Sequence, residues 1–184
     1  TNAPFNPVIN TIPNGAPTNG YSLLFNGTNA YTSLPSSASV FNLNQFTIEF
    51  WVYPTLLSNS PVLIDNFITG GSGSYTTNQW QLYVTTAGVI TLYIATGVST
   101  LTTITGTTLP LYTWTNIAIV KNGTSATSMI IYVNGASVAT GQPSTTMGVA
   151  ATSYIGRQTY TSNAYFNGYI TNVRVVNGTA VYTS

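Results

Sequence analysis

The chain has 184 residues, of which only 3% are charged, against about 25% in an ordinary soluble domain. The net charge is +1, and three Lys and Arg residues are too few to bind a nucleic-acid backbone. The longest apolar runs, at 117–120 and 129–133, are too short to insert into a membrane. The sequence contains no His and no Cys, which excludes Ser-His-Asp and Cys-His catalysis, zinc sites built from those ligands, and disulfides.

The N-terminal segment differs in composition from the rest of the chain. Residues 1–19 contain four prolines and few residues that could form a core. Proline favours extended conformations and is poorly tolerated within a sheet, so we expect an extended arm or linker and no sheet strand in this segment. The domain itself is then predicted to span residues 20–184. Apolar arm residues such as Phe5, Val8 and Ile9 could be buried against a neighbouring protein, which predicts attachment through the arm.

The rest of the chain alternates apolar and polar residues with a period of two, which predicts β-strands throughout. Phe46, Ile48, Phe50 and Val52 should face the core, and the residues between them should face away. Asn134-Gly135 is the strongest short-hairpin signal, because a type I′ turn needs a positive φ at both positions. Together these features predict an all-β, antiparallel two-sheet β-sandwich of the jelly-roll type. The predicted strands are 21–25, 31–34, 46–53, 62–67, 79–85, 89–95, 100–104, 114–121, 129–133, 137–140, 153–156 and 169–176.

Glu49 and Asp65 are the only two carboxylate side chains. A glycosidase needs two carboxyl groups about 5–10 Å apart around one sugar, and these two show no such pattern, so we expect no enzyme activity. Glu49 lies mid-strand and should be half-buried and paired with a cation, for which Arg174 is the best candidate. Asp65 is either a turn residue that bonds its own backbone or a weak calcium ligand.

Aromatic residues give the main signal for ligand recognition, because sugar rings stack on them while hydroxyls pair with amides. The three Trp residues lie on predicted strands and are expected to belong to the core. The candidate binding residues lie in or beside predicted loops, and the segment 160–165 is the strongest surface candidate. They are Tyr75, Tyr112, Tyr160, Asn163 and Tyr165.

Six motifs in order resemble laminin-G-like, concanavalin A-like jelly-roll domains, and they cover residues 20–178. They are YSLLFNG followed by NAY (21–31), FTIEFWVYP (46–54), WTNIA (114–118), IYVNG (131–135), YIGR (154–157) and FNGYITNVRV (166–175). The closing stretch GYITNVRVVNGTAVY (168–182) is most similar to variants in bacteriophage virion proteins.

This resemblance implies a non-enzymatic display domain on a virion surface, in a tail fibre, appendage or capsid decoration. Such a domain would be homo-oligomeric or present in many copies. Its expected partners are other virion or surface proteins and, as candidates, glycans. Two alternatives stay open: a carbohydrate-binding module of a secreted or cell-surface bacterial protein, and a structural decoration protein without a ligand.

The chain departs from the family pattern where calcium-binding members carry acidic residues. Asn26, Asn29 and Asn172 stand at those positions, and Asn carbonyls alone are weak calcium ligands. We therefore expect no cofactor, with Asp65 as the single candidate for weak calcium binding.

Overall fold

The computed structural model describes residues 8–10, 21–35, 44–67, 79–97, 100–142, 152–159 and 164–183. In these ranges the chain forms thirteen β-strands and no helix, which confirms the all-β prediction. Accordingly, no helical segment of the described part could cross a membrane. The strands are β1 (Val8–Asn10), β2 (Ser22–Asn26), β3 (Thr32–Pro35), β4 (Gln45–Leu56), β5 (Val62–Asp65), β6 (Trp80–Val84), β7 (Val89–Gly97), β8 (Thr100–Thr108), β9 (Thr115–Asn122), β10 (Met129–Val133), β11 (Ala136–Gly141), β12 (Thr152–Ile155) and β13 (Asn167–Asn177).

The strands form two antiparallel sheets that pack face to face. The seven-stranded sheet has the order β1-β2-β13-β4-β9-β10-β11, and the six-stranded sheet has the order β3-β12-β5-β6-β7-β8. This is the predicted concanavalin A-like sandwich. Strands distant in sequence lie side by side, as β4 does between β13 and β9, so the fold depends on long-range pairing.

Alternation on the central strand β4 builds one side of the core, as predicted. Phe46, Ile48, Phe50 and Val52 are at most 1% exposed and contact the apolar inner face of the other sheet. Thr47 points away from this core but is also buried. Its hydroxyl donates to the carbonyl of Thr179 and accepts from the amide of Val181, so the C-terminal segment covers it.

The prediction that the N-terminal arm contains no sheet strand is wrong for residues 8–10. Val8 to Asn10 pair antiparallel with Leu24 to Ser22, so β1 extends the seven-stranded sheet. Two β-branched residues in succession favour a strand, and β1 is the last strand on its side of the sheet as described. An edge position suits a proline-flanked segment, because only one side of the strand has to supply hydrogen bonds.

The predicted hairpin at Asn134-Gly135 is present. These two residues have φ values of 50° and 80°, as a type I′ turn requires, and they connect β10 to β11.

Candidate functional site

A polar pocket of about 270 Å³ opens on the outer face of the six-stranded sheet. On β6, Trp80 and Leu82 face the core, so Gln81 and Tyr83 between and after them face outward. On β7 the same alternation turns Tyr93 outward. The walls come from the β4–β5 loop, β6, β7 and the segments that flank β12 and β13, and the lining residues are Asn59, Ser60, Gln81, Tyr83, Tyr93, Gln158 and Ala164.

Two neighbouring tyrosine side chains line this pocket. The ring centroids of Tyr83 and Tyr93 lie 4.7 Å apart with an interplanar angle of 52°. Both side chains are half-buried. Burial, together with the neighbouring Tyr93 hydroxyl, raises the pKa of Tyr83, so its phenol stays neutral and can donate a hydrogen bond. The pocket therefore combines apolar ring surface with hydroxyl donors and acceptors.

Amide side chains stand beside the tyrosines. Gln158 Nε2 lies 3.5 Å from Gln81 Oε1, and Gln81 Nε2 donates to Asp65 Oδ1 at 3.1 Å. An amide carries both donor and acceptor atoms. Such a pair can hydrogen-bond a ligand that itself has hydroxyl groups.

Asp65 holds the segment that carries Gln158 onto the sheet. Its Oδ2 accepts from the Thr159 backbone amide at 2.5 Å and from Thr159 Oγ1 at 2.6 Å, and its Oδ1 also accepts from the Phe67 amide at 3.1 Å. The Phe67 bond is the local turn bond expected under the first of the two alternatives for Asp65. The carboxylate is fully buried, and this burial raises its pKa despite the hydrogen bonds, which act in the opposite direction. Asp65 is therefore a positioning residue for the pocket.

Arg157 is held next to the pocket between aromatic rings. Its Cζ atom lies 4.6 Å from the ring centroid of Tyr31, 4.8 Å from that of Tyr154 and 6.0 Å from that of Tyr165. Its Nε donates to the Gln158 carbonyl at 3.0 Å, and one terminal nitrogen donates to the Thr159 carbonyl at 3.1 Å. Of the sequence-predicted binding residues, the structure thus brings Tyr165 to this cluster.

Tyr112 lies away from the pocket, beside the seven-stranded sheet. It is 63% exposed, has a φ of 56°, and packs its ring 6.4 Å from that of Tyr53. The structure therefore does not bring Tyr112 and Tyr165 together. Tyr75, Tyr160 and Asn163 lie outside the described residues, so their role stays a prediction.

The second carboxylate, Glu49, lies on the outer face of the seven-stranded sheet. Arg174 Nε is 2.5 Å from Glu49 Oε1, and the Tyr182 hydroxyl donates to the other carboxylate oxygen. The Glu49 side chain is 15% exposed. Since Asp65 belongs to the other sheet, the apolar core separates the two carboxylates.

The comparisons with known proteins agree with this architecture. A family model described as the concanavalin A-like lectin/glucanases superfamily matches residues 26–181. The chain belongs to this superfamily. No curated protein sequence matches it at a significant level.

Solved structures of the superfamily fold are similar at low sequence identity. Domains LG4-5 of the mouse laminin alpha1 chain share 20% identity with a TM-score of 0.61, covering 84% of this chain and 40% of that one. The Ruminococcus gnavus IT-sialidase CBM40 bound to alpha2,3 sialyllactose shares 15% identity with a TM-score of 0.66, covering 84% and 89%. Domain 4 of AbnA, a GH43 extracellular arabinanase from Geobacillus stearothermophilus in complex with arabinotriose, shares 19% identity with a TM-score of 0.60, covering 88% and 73%. At these identities the likeness shows the fold alone.

Asn26 and Asn29, two of the three asparagines at the positions considered for calcium, build a turn after β2. Asn26 Oδ1 accepts from the backbone amides of Thr28, Asn29 and Ala30, each at 3.0 Å, and Asn26 Nδ2 donates to Asn29 Oδ1. Both oxygens of Asp65 are likewise occupied by hydrogen-bond donors. These oxygens do not fit calcium coordination, which takes about 6–8 of them.

Gln81, Tyr83 and Tyr93 were not predicted as binding residues, because they lie on strands and the predicted candidates lie in or beside loops. Their outward direction was available from the alternation in the predicted strands 79–85 and 89–95. The alternation does not give the pairing register of β6 and β7, which places Tyr93 opposite Gln81 and so assembles the pocket.

Proposed function

We propose that this domain is a non-enzymatic module that binds glycans in the pocket formed by Tyr83, Tyr93, Gln81 and Gln158. The observation that carries the proposal is the tyrosine pair standing beside amide groups in one concave polar site. Sugar rings have apolar faces that pack on aromatic rings, and their hydroxyls pair with amides and phenols. Concave sites with a few convergent polar groups are where proteins usually bind small ligands.

Two comparisons support this proposal at the level of ligand class. One structurally similar module is bound to sialyllactose, and another is in complex with arabinotriose. Both are binding units of a size close to that of this chain, since it covers 89% and 73% of them. The residues of the pocket are proposed from this chain's own geometry.

The positions of the carboxylates support a role without catalysis. Glycoside hydrolysis needs two carboxyl groups about 5–10 Å apart around one sugar. Glu49 and Asp65 belong to different sheets with the core between them, and each is engaged by its own partners. One ligand cannot contact both.

The proposal includes display on a virion surface, for which the motif at 168–182 is the support. A module of a secreted or cell-surface bacterial protein is the alternative placement. Labelling the chain in imaged virus particles distinguishes them, because a secreted module would be absent from purified particles.

Binding to an array of immobilised glycans tests the function. We expect the wild-type chain to bind, and Tyr83→Ala and Tyr93→Ala each to raise Kd about tenfold or more, because each removes a stacking ring worth about 1.5 kcal/mol. Tyr21→Ala is the matched control, since Tyr21 is 72% exposed and precedes β2 in the other sheet. Wild-type affinity in both pocket variants would refute the site. Loss of binding in Tyr112→Ala instead would place the site at Tyr112, one of the candidates predicted in or beside loops.

A further inference from the structure

We infer that the pocket prefers acidic sugars and that Arg157 receives the carboxylate or sulfate group of the ligand. This inference rests on the proposed glycan-binding function and specifies its ligand class. It starts from the small number of charges in the chain, which lets the partners of both carboxylate side chains be named.

Neither carboxylate side chain of the chain forms a salt bridge with Arg157. Glu49 binds Arg174 and Tyr182 on the other sheet. Asp65 is fully buried, and its two oxygens accept hydrogen bonds from Thr159, Gln81 and the Phe67 amide. The direct contacts of the Arg157 guanidinium are with aromatic faces and backbone carbonyls, and none is with a carboxylate side chain. A half-buried cation in such a setting gains from an anion that arrives with a ligand.

The guanidinium is also held in a fixed orientation. Tyr31 and Tyr154 meet edge to face, with centroids 5.6 Å apart at 75°, and Arg157 stands over both rings. The two carbonyls use two of its five N–H donors. A guanidinium oriented in this way pays little conformational entropy when its planar fork binds an oxyanion with two hydrogen bonds.

Arg157 is close enough to the pocket for one glycan to reach both. Gln158, the next residue, lines the pocket and reaches Gln81. Across the sheet, Tyr154 pairs with Asp65, and Asp65 pairs with Gln81. Neighbouring strands are about 4.8 Å apart, so the backbone of Tyr154 lies about 10 Å from that of Gln81. A sugar on the tyrosines can therefore present an acidic group, or an acidic neighbouring sugar, to Arg157.

Binding of matched oligosaccharides tests this inference. The probes are one oligosaccharide in neutral, carboxylated and sulfated forms. Kd is measured for each form at low and at physiological salt. We expect the wild-type chain to bind at least one acidic form about tenfold more tightly than the neutral form. The ratio of acidic to neutral affinity should fall as the salt concentration rises, because salt screens the attraction between Arg157 and the acidic group of the ligand. Preference for the carboxylated or for the sulfated form identifies the source of the anion.

Substitutions locate the preference on Arg157. In Arg157→Gln the ratio of acidic to neutral affinity should fall to about one, and in Arg157→Lys, which keeps the charge but loses the fork, it should fall only in part. Arg174→Gln is the control, because Arg174 is 52% exposed on the other sheet and its loss should leave the ratio unchanged. Thermal unfolding verifies that each variant is folded, and the salt titration of the wild-type chain needs no variant.

Each negative result has its own meaning. Equal binding of neutral and acidic forms by the wild-type chain would overturn this inference and leave the glycan-binding function standing. An acidic preference that persists in Arg157→Gln would overturn the assignment to Arg157. Absence of binding to every glycan would refute the proposed function itself.

Discussion

Gly156 connects β12 to the segment that carries Arg157 and Gln158, and it allows the sharpest test of how this segment is built. Its φ is +84°, a conformation that residues with a side chain rarely adopt. A Cβ atom added at Gly156 would lie 2.3 Å and 2.4 Å from two ring carbons of Phe25. Phe25 is fully buried and packs against Phe166, with centroids 5.9 Å apart. Gly156→Ala therefore combines backbone strain with a clash in the core.

The expected loss of stability follows from these two causes. The left-handed conformation costs a non-glycine residue about 1–2 kcal/mol, and overpacking a core costs about 1–3 kcal/mol. We expect Gly156→Ala to lower the free energy of unfolding by about 2–5 kcal/mol. For a domain of this size each kcal/mol shifts Tm by about 2–4 °C, so Tm should fall by about 4–20 °C.

Gly135→Ala is the matched control, and urea unfolding is the assay. Gly135 has a φ of +80°, yet no atom lies within 4 Å of an added Cβ, so only the backbone cost applies there. The difference between the two variants isolates the clash with Phe25. Phe25→Leu combined with Gly156→Ala should then cost less than the sum of the two single changes. Equal losses in Gly156→Ala and Gly135→Ala would refute the reasoning.

Three further predictions concern Asp65, metal and the N-terminal arm. Burial raises the pKa of Asp65 above its ordinary value of 3.8, so the folded state binds the proton more tightly than the unfolded state does. The contribution of Asp65 to the free energy of unfolding should therefore fall as pH rises from 3.8 through the raised pKa. Urea unfolding across this range should show that slope in the wild-type chain and not in Asp65→Asn; the same slope in both would contradict it. EDTA should leave Tm nearly unchanged, and a fall of about 5 °C or more would show a bound ion. Deleting residues 1–17 removes β1 and should lower Tm by a few degrees, while reducing incorporation into particles or oligomers; normal incorporation would exclude an attachment role.

The strands and hairpins could be predicted from the sequence because their signals are local. On β4, the apolar residues at every second position identify the strand and its buried face without knowledge of its neighbours. Asn134-Gly135 defines its hairpin through the conformations of two residues. The arm strand β1 was missed because two β-branched residues were outweighed by the surrounding prolines. Whether such a segment pairs depends on the edge that β2 offers, which is a property of the whole sheet.

The candidate site could not be predicted in the same way because its contacts join distant parts of the chain. Asp65 and Thr159 are 94 residues apart, and Gln81 and Gln158 are 77 residues apart. Tyr83 and Tyr93 belong to neighbouring strands, but only the register of β6 and β7 brings their rings together. A shift of one residue would turn one ring into the core. Local propensity does not carry that information.

The scarcity of charge also explains why one arginine can decide ligand choice in this domain. With three cations and two carboxylates in 184 residues, most of the surface that a ligand meets consists of hydroxyls, amides and aromatic rings. Those groups hydrogen-bond the hydroxyls of neutral and acidic sugars alike, so the discrimination between them depends on the groups that meet the acidic substituent itself. Arg174 is matched by Glu49, and Lys121 is fully buried, which leaves Arg157 as the described cation beside the pocket. On a highly charged protein, the effect of Arg157 would be one contribution among many. Here we expect the difference in affinity between a neutral and an acidic glycan to depend on the Arg157 guanidinium.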